Sequence, residues 1–156
     1  KLLFTRTIVG CGQDLGAFPG DLSEKTNLYM NVYYDYLEQF LGRSKAKVLT
    51  ESGKIKLFPA ELLRGHTYNN TIMVADETQN FTILQTQLFA SRIGQGSKIV
   101  FIGDNRQCDI KENGLDFLLR NARHVPDVNI VNLGNKDIIR HKIIGPFMEI
   151  YERHSI

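Results

Sequence analysis

Apolar runs that do not alternate between greasy and polar residues constrain this chain most. "KLLFTRTIV" (1–9), "TIMVA" (71–75), "SKIVFIG" (97–103) and "VNIVNL" (128–133) each read as a buried strand, and residues 54–59 read as a shorter one. Helical patterns lie between them. Leu28, Val32, Tyr36 and Phe40 recur every four residues, with Tyr29, Tyr33, Leu37 and Leu41 beside them, which predicts a helix over 24–41. Residues 81–93, stopping at Gly94, residues 114–123 and residues 138–153, irregular around Pro146, predict three more. "GCGQDLGAFPGDLSEK" (10–25) and "RGHTYNN" read as loops. Strands that alternate with helices, and that are apolar on both faces, predict an α/β fold with a mostly parallel sheet covered on both sides. Such sheets bind ligands at the carboxyl ends of their strands.

Composition narrows the function. The 156 residues suit a single domain, 1–156, and a hydrophobic content of 42% suits a globular one. A formal charge of +2 rules out reading a nucleic-acid partner from overall charge, so a local basic patch would have to carry it. Cys11 and Cys108 are isolated from each other, with no metal spacing and no disulfide framework, which predicts a reducing, cytoplasmic setting. No apolar stretch is long enough to span a bilayer. The chain opens at Lys1 directly on a strand-like run, which predicts a fragment, a processed chain or a missing start.

Three of the strands end in polar residues: "LFTR", "MVADE" and "FIGDNRQ". In "MVADE" an apolar strand delivers two adjacent acids, Asp76 and Glu77. This fits a Walker-B-type pair, in which one carboxylate holds Mg²⁺ through its water shell and the next polarises the water that attacks a γ-phosphate. The alternative is a strand end leading into an acid-rich helix start. In "GDNRQ" (103–107) a Gly-Asp follows a strand and Gln107 stands three residues after Asp104, which suits a phosphate sensor. The alternative there is a plain Asx turn. Tyrosines 29, 33, 34 and 36 offer base-stacking rings, but their helical spacing favours packing. The four histidines show no ligand spacing.

Together, "KLLFTRTIVGCGQDLGAFPGDLSEK", "LLRGHTYNNTIMVADETQN", "SRIGQGSKIVFIGDNRQCD" and "IIRHKI" resemble successive motifs of PhoH-like proteins, in order and spacing, over nearly the whole chain. The resemblance implies a three-layer RecA-like P-loop NTPase core similar to the first motor domain of superfamily 1 helicases. It implies ATP and Mg²⁺ as cofactors, Asp76 as the Mg²⁺ acid, Glu77 as the catalytic acid, and Gln79 and Gln107 as phosphate- or water-sensing amides. Asp104 joins the nucleotide-binding set. Arg6, Arg64 and Lys98 are the candidate contacts to RNA or single-stranded nucleic acid. The "RH" pattern implies that Arg140 is an arginine finger reaching a neighbouring subunit of a ring-like homo-oligomer, with Arg92 as second choice.

The sequence also departs from the family pattern. Arg6-Thr7 replaces Arg-Pro and Thr78 replaces an alanine, and neither change removes a functional group. The larger departure is that no GxxxxGK[ST] segment occurs in the 156 residues. The expectation is therefore the larger, C-terminal part of a PhoH-like domain with its N-terminal P-loop strand missing. Its open sheet edge would be a liability, and its partner would be a P-loop segment absent, disordered or encoded separately. Alone, such a chain is expected to be inactive. The alternative is a non-catalytic nucleic-acid-binding or assembly module that keeps the scaffold.

Overall fold

The computed structural model describes residues 1–7, 22–63, 65–108, 110, 112–139 and 141–153, with backbone alone for 22–29, 61, 135 and 152. The described chain divides into two units, Lys1–Asn121 and Ala122–Ile156.

The first unit is built on a parallel four-stranded sheet of β1 (Leu2–Arg6), β2 (Ile55–Pro59), β3 (Ile72–Ala75) and β4 (Lys98–Phe101), in the order β2-β1-β3-β4. Leu3 lies opposite Met73, and Met73 opposite Ile99. Side chains alternate across a strand, so this register puts Leu3, Thr5, Met73, Ala75, Ile99 and Phe101 on one face. There Leu3, Ala60, Leu63, Met73, Ala75, Phe81 and Phe89 form the main core. Helix α3 (Ile83–Ala90) closes this face, with Phe89 edge-on to Phe101 at 5.7 Å between ring centres. Its start is fixed by a capping box between Thr82 and Gln85.

The other face carries α1 (Leu22–Leu41) and α2 (Arg43–Glu51). Leu37, Ala46 and Ile55 pack there with Leu2, Leu41, Leu49 and Leu57. This cover extends over β1 and β2. Toward β4 it thins, leaving Ile72, Val100 and Ile102 between 43% and 49% exposed. Helices therefore lie on both faces of the sheet, as expected, and among the described residues the cover is thinner toward β4 on the α1 side.

Other boundaries moved for physical reasons. Helix α2 was not foreseen. The chain breaks at Gly42, whose φ of 78° is open to glycine without strain, and then resumes helix at Arg43. Helix α4 (Gly114–Asn121) starts where Asn113 Oδ1 accepts the Asp116 N–H at 2.7 Å. A Cβ on Gly114 would run into the Thr86 methyl and lie 3.0 Å from the Thr82 carbonyl. Gly114→Ala should therefore cost about 1–3 kcal/mol of stability by overpacking. Equilibrium denaturation checks this, and an unchanged midpoint would mean that α4 does not seat this closely on α3.

In the second unit, the strand expected at 128–133 is not formed. Val131 and Leu133 are 80% and 79% exposed, and no ladder partner takes up their backbone groups among the described residues. An apolar run becomes a strand only where a neighbour satisfies its N–H and C=O groups. The helix expected from 138 is α5, Ile144–Arg153, preceded by a single turn at Asn135–Asp137. Pro146 falls in its first turn, where a missing N–H costs nothing. No helix among the described residues is long and apolar enough to cross a membrane.

Candidate active site at the carboxyl end of the sheet

Strand β3 ends at Ala75, and the next two residues are the acidic pair. Parity sends Asp76 to the face of α1, the same face as Arg6. The Asp76 N–H donates to the Thr5 carbonyl at 2.8 Å, which continues the β1–β3 ladder past the strand end. On the side chain, Oδ1 accepts the Glu77 N–H at 3.0 Å and Oδ2 accepts the Tyr33 hydroxyl at 2.7 Å. Tyr33 is buried, and its ring stacks on Phe4 at 5.3 Å. Burial first, then the hydrogen bond to Asp76 and its negative charge, push the Tyr33 phenol far above the ordinary tyrosine range. It stays a neutral donor.

Glu77 turns the chain with φ 53° and ψ 40°, a left-handed conformation uncommon outside glycine. The next residues hold it there. The Thr78 N–H donates to the Ile102 carbonyl at 2.8 Å, and the Thr78 hydroxyl to the Ala75 carbonyl at 3.0 Å. Residues Thr78–Asn80 form one tight turn, anchored by the buried Phe81.

Gln79 is buried beneath this turn. Its Nε2 donates to Glu77 Oε2 at 2.6 Å, and its Oε1 accepts the Asp104 N–H at 3.1 Å. One amide thus joins the acidic pair to the loop after β4. Gly103 makes room for it, since a Cβ there would lie 2.5 Å from Gln79 Oε1. In this arrangement both ends of the amide are engaged inside the protein, and sensing of a phosphate by direct touch would require the bridge to open.

The β4 loop is organised by Asp104. Its Oδ1 accepts from the Arg106 backbone N–H at 3.0 Å and from Arg106 Nε at 3.1 Å, and its Oδ2 accepts from Arg106 Nη2 at 3.2 Å. The Arg106 contacts hold the Asp104 carboxyl below its usual range against a partial burial that would raise it. Gln107 is exposed, with Nε2 3.4 Å from Asp104 Oδ2. Its amide stays accessible to solvent.

The sheet therefore brings Arg6, Asp76, Glu77, Gln79, Asp104 and Gln107 to one end. Arg6 is half-buried, and its Nε is buried with no hydrogen-bond partner among the described residues. Lys98 opens β4 and sits at the opposite end of the sheet, level with Ile72 rather than with Asp76. Arg64 and Arg140 lie outside the described residues, as do Cys11 and most of the glycine-rich loop. Sequence reasoning did not foresee Tyr33 as the partner of Asp76, because 43 residues separate them and nothing local signals the contact. It also passed over Arg106, for which the two-residue spacing from Asp104 was an available signal.

Among the described residues no three His, Cys, Asp or Glu side chains converge as a metal cage. Asp76 offers hard oxygen, and one carboxylate with waters and phosphate oxygens is the donor set that Mg²⁺ favours. The residues fit such an ion.

A parallel sheet flanked by helices, with an acidic pair after one strand and an Asp-Gln loop after the next, defines an α/β core of the RecA-like P-loop NTPase class. The family model described as "PhoH-like protein" matches residues 1–152, and the chain belongs to that family. It is 32% identical over 158 residues to a "PhoH-like protein" of Bacillus subtilis (strain 168), covering 99% of this chain and 50% of the relative. Against a "PhoH-like protein" of Synechocystis it is 35% identical over 156 residues, covering 98% and 48%. Against "Protein PhoH" of Escherichia coli (strain K12) it is 31% identical, covering 97% and 44%. The chain thus spans about half the length, or less, of these curated relatives.

Proposed function

We propose that this chain supplies the hydrolytic half of a Mg²⁺-dependent ATPase site. The observation that carries the reading is the linked set Asp76, Glu77, Gln79 and Asp104 at the carboxyl end of β3 and β4. Asp76 would hold Mg²⁺ through its water shell, and that ion, when bound, supplies charge neutralisation on the phosphates. Glu77 orients the attacking water and accepts its proton. Gln79 fixes the direction of Glu77 and ties it to the backbone of the Asp104 loop. Gln107, the exposed amide on that loop, is the group placed to report the γ-phosphate. A P-loop from outside these 156 residues completes the site, since no GxxxxGK[ST] occurs within them. The open edge beyond β4 is compatible with an added strand. Arg140 belongs to the same proposal as a finger offered to a neighbouring subunit.

The same proposal couples this site to RNA or single-stranded nucleic acid. Arg6 and Lys98 stand at opposite ends of the sheet. Four residues of strand length put them about 13 Å apart along the strands, and two strand spacings about 10 Å apart across them. A single nucleic-acid chain touching both would have to cross the sheet obliquely.

The test compares the purified 156-residue chain with a protein made P-loop-complete by adding that segment. The chain alone should show no ATP turnover above background, and the P-loop-complete protein should hydrolyse ATP in a Mg²⁺-dependent way. Failure of the completed protein to bind or hydrolyse ATP would overturn the reading in favour of a non-catalytic module. Robust turnover by the chain alone would overturn the need for the added segment.

A further inference from the structure

We propose that Tyr33 is a positioning residue for the Asp76 carboxylate and thereby sets how tightly the site responds to its divalent cation. This rests on the reading of Asp76 as the Mg²⁺ acid. A carboxylate on a short side chain can rotate about its last bond, and a metal-bound water needs a lone pair held in one direction. Here the two oxygens are anchored from different sides. The chain's own backbone holds Oδ1 through the Glu77 N–H at 3.0 Å, and helix α1 holds Oδ2 through the Tyr33 hydroxyl at 2.7 Å. Each oxygen keeps further accepting capacity, since a carboxylate offers about four lone-pair sites in all.

The chemistry of the anchor matters. A lysine or arginine in the same place would neutralise the carboxylate and weaken its hold on a cation. A phenol orients it and leaves its charge in place. Its hydroxyl donates to Oδ2 and brings no positive charge of its own. Its ring is itself fixed, buried and stacked on Phe4 of β1, a strand adjacent to β3. The hydroxyl therefore cannot swing away without disturbing packing between α1 and the sheet.

A buried tyrosine also needs an acceptor for structural reasons alone, so the experiment must read more than stability. Tyr33→Phe keeps the ring and its stack and removes only the hydroxyl. In the P-loop-complete protein, the Mg²⁺ concentration for half-maximal ATP hydrolysis should rise roughly 3- to 10-fold, the size of one lost hydrogen bond. The rate at saturating Mg²⁺ should fall less. In an Asp76→Asn background, Tyr33→Phe should produce no further shift, because Tyr33 acts through that carboxylate. An unchanged Mg²⁺ midpoint in Tyr33→Phe, in a protein whose Asp76→Asn variant does shift it, would overturn the inference and leave the ATPase reading standing. An Asp76→Asn variant with an unaltered midpoint would remove Asp76 as the Mg²⁺ acid and the inference with it.

Discussion

Glu77→Gln in the P-loop-complete protein should leave ATP binding intact and cut hydrolysis by roughly 10²–10⁴-fold, the range for a positioned acid or base. The expectation follows from what the substitution keeps. The amide matches the carboxylate in size, and its oxygen can still accept from Gln79 Nε2, which now lies 2.6 Å from Glu77 Oε2. The left-handed backbone at this position is pinned by the Thr78 contacts to Ile102 and Ala75, none of which uses the Glu77 side chain. The fold should therefore be untouched, with a melting temperature close to that of the parent. What is lost is the negative charge and the capacity to take a proton from water. Nucleotide affinity at equilibrium and single-turnover hydrolysis, measured separately, distinguish these effects. A turnover rate equal to the parent's would take Glu77 out of the chemistry.

The parts of this molecule that were legible in the sequence are the local ones. Strands β1, β3 and β4 showed as apolar runs, as strands of a parallel sheet between helices do, although Ile72 and Val100 stay partly exposed. The acidic pair showed because both residues follow one strand directly, so their placement needed no knowledge of the rest of the fold. The false strand at 128–133 has the same cause. Apolar patterning reports the wish to be buried, and it says nothing about whether a neighbouring strand is there to pair with. Gln79 entered through the family resemblance alone, as a phosphate- or water-sensing amide. Its burial under Gly103 and its bridge from Glu77 to the Asp104 loop follow from the turn at Thr78–Asn80, which residue type and spacing do not fix. Tyr33 was read from its spacing as a packing residue, which its burial and its stack on Phe4 match. Its hydroxyl contact to Asp76 depends on how α1 crosses the sheet, and helical periodicity does not fix that.

Phe81→Ala should destabilise the first unit by about 3–5 kcal/mol, as expected when a fully buried phenylalanine is truncated. Phe81 is completely buried, in one core with Met73, Phe89 and Leu63. Its backbone adds a second tie. Its N–H donates to the Thr78 carbonyl at 3.0 Å, and its carbonyl accepts the Gly114 N–H at 2.6 Å. One residue therefore seats the turn below the acidic pair and the start of α4 on the same core. Domains are stable by only about 5–15 kcal/mol in total, so the loss should move the denaturation midpoint far to low denaturant. Phe40→Ala serves as the control: Phe40 is 78% exposed, and surface changes usually stay within about 0.5 kcal/mol. Comparable losses for the two variants would mean that the core does not centre on Phe81. With the expected contrast, Gln79 should also lose its fixed place. The turn that carries it rests on the cavity left behind, so in the P-loop-complete protein Phe81→Ala should lower turnover at temperatures where the protein is still folded. A variant that is destabilised by the full amount yet hydrolyses ATP at the parent rate would separate the core from the site, and would show that the Gln79 bridge does not depend on the packing beneath it.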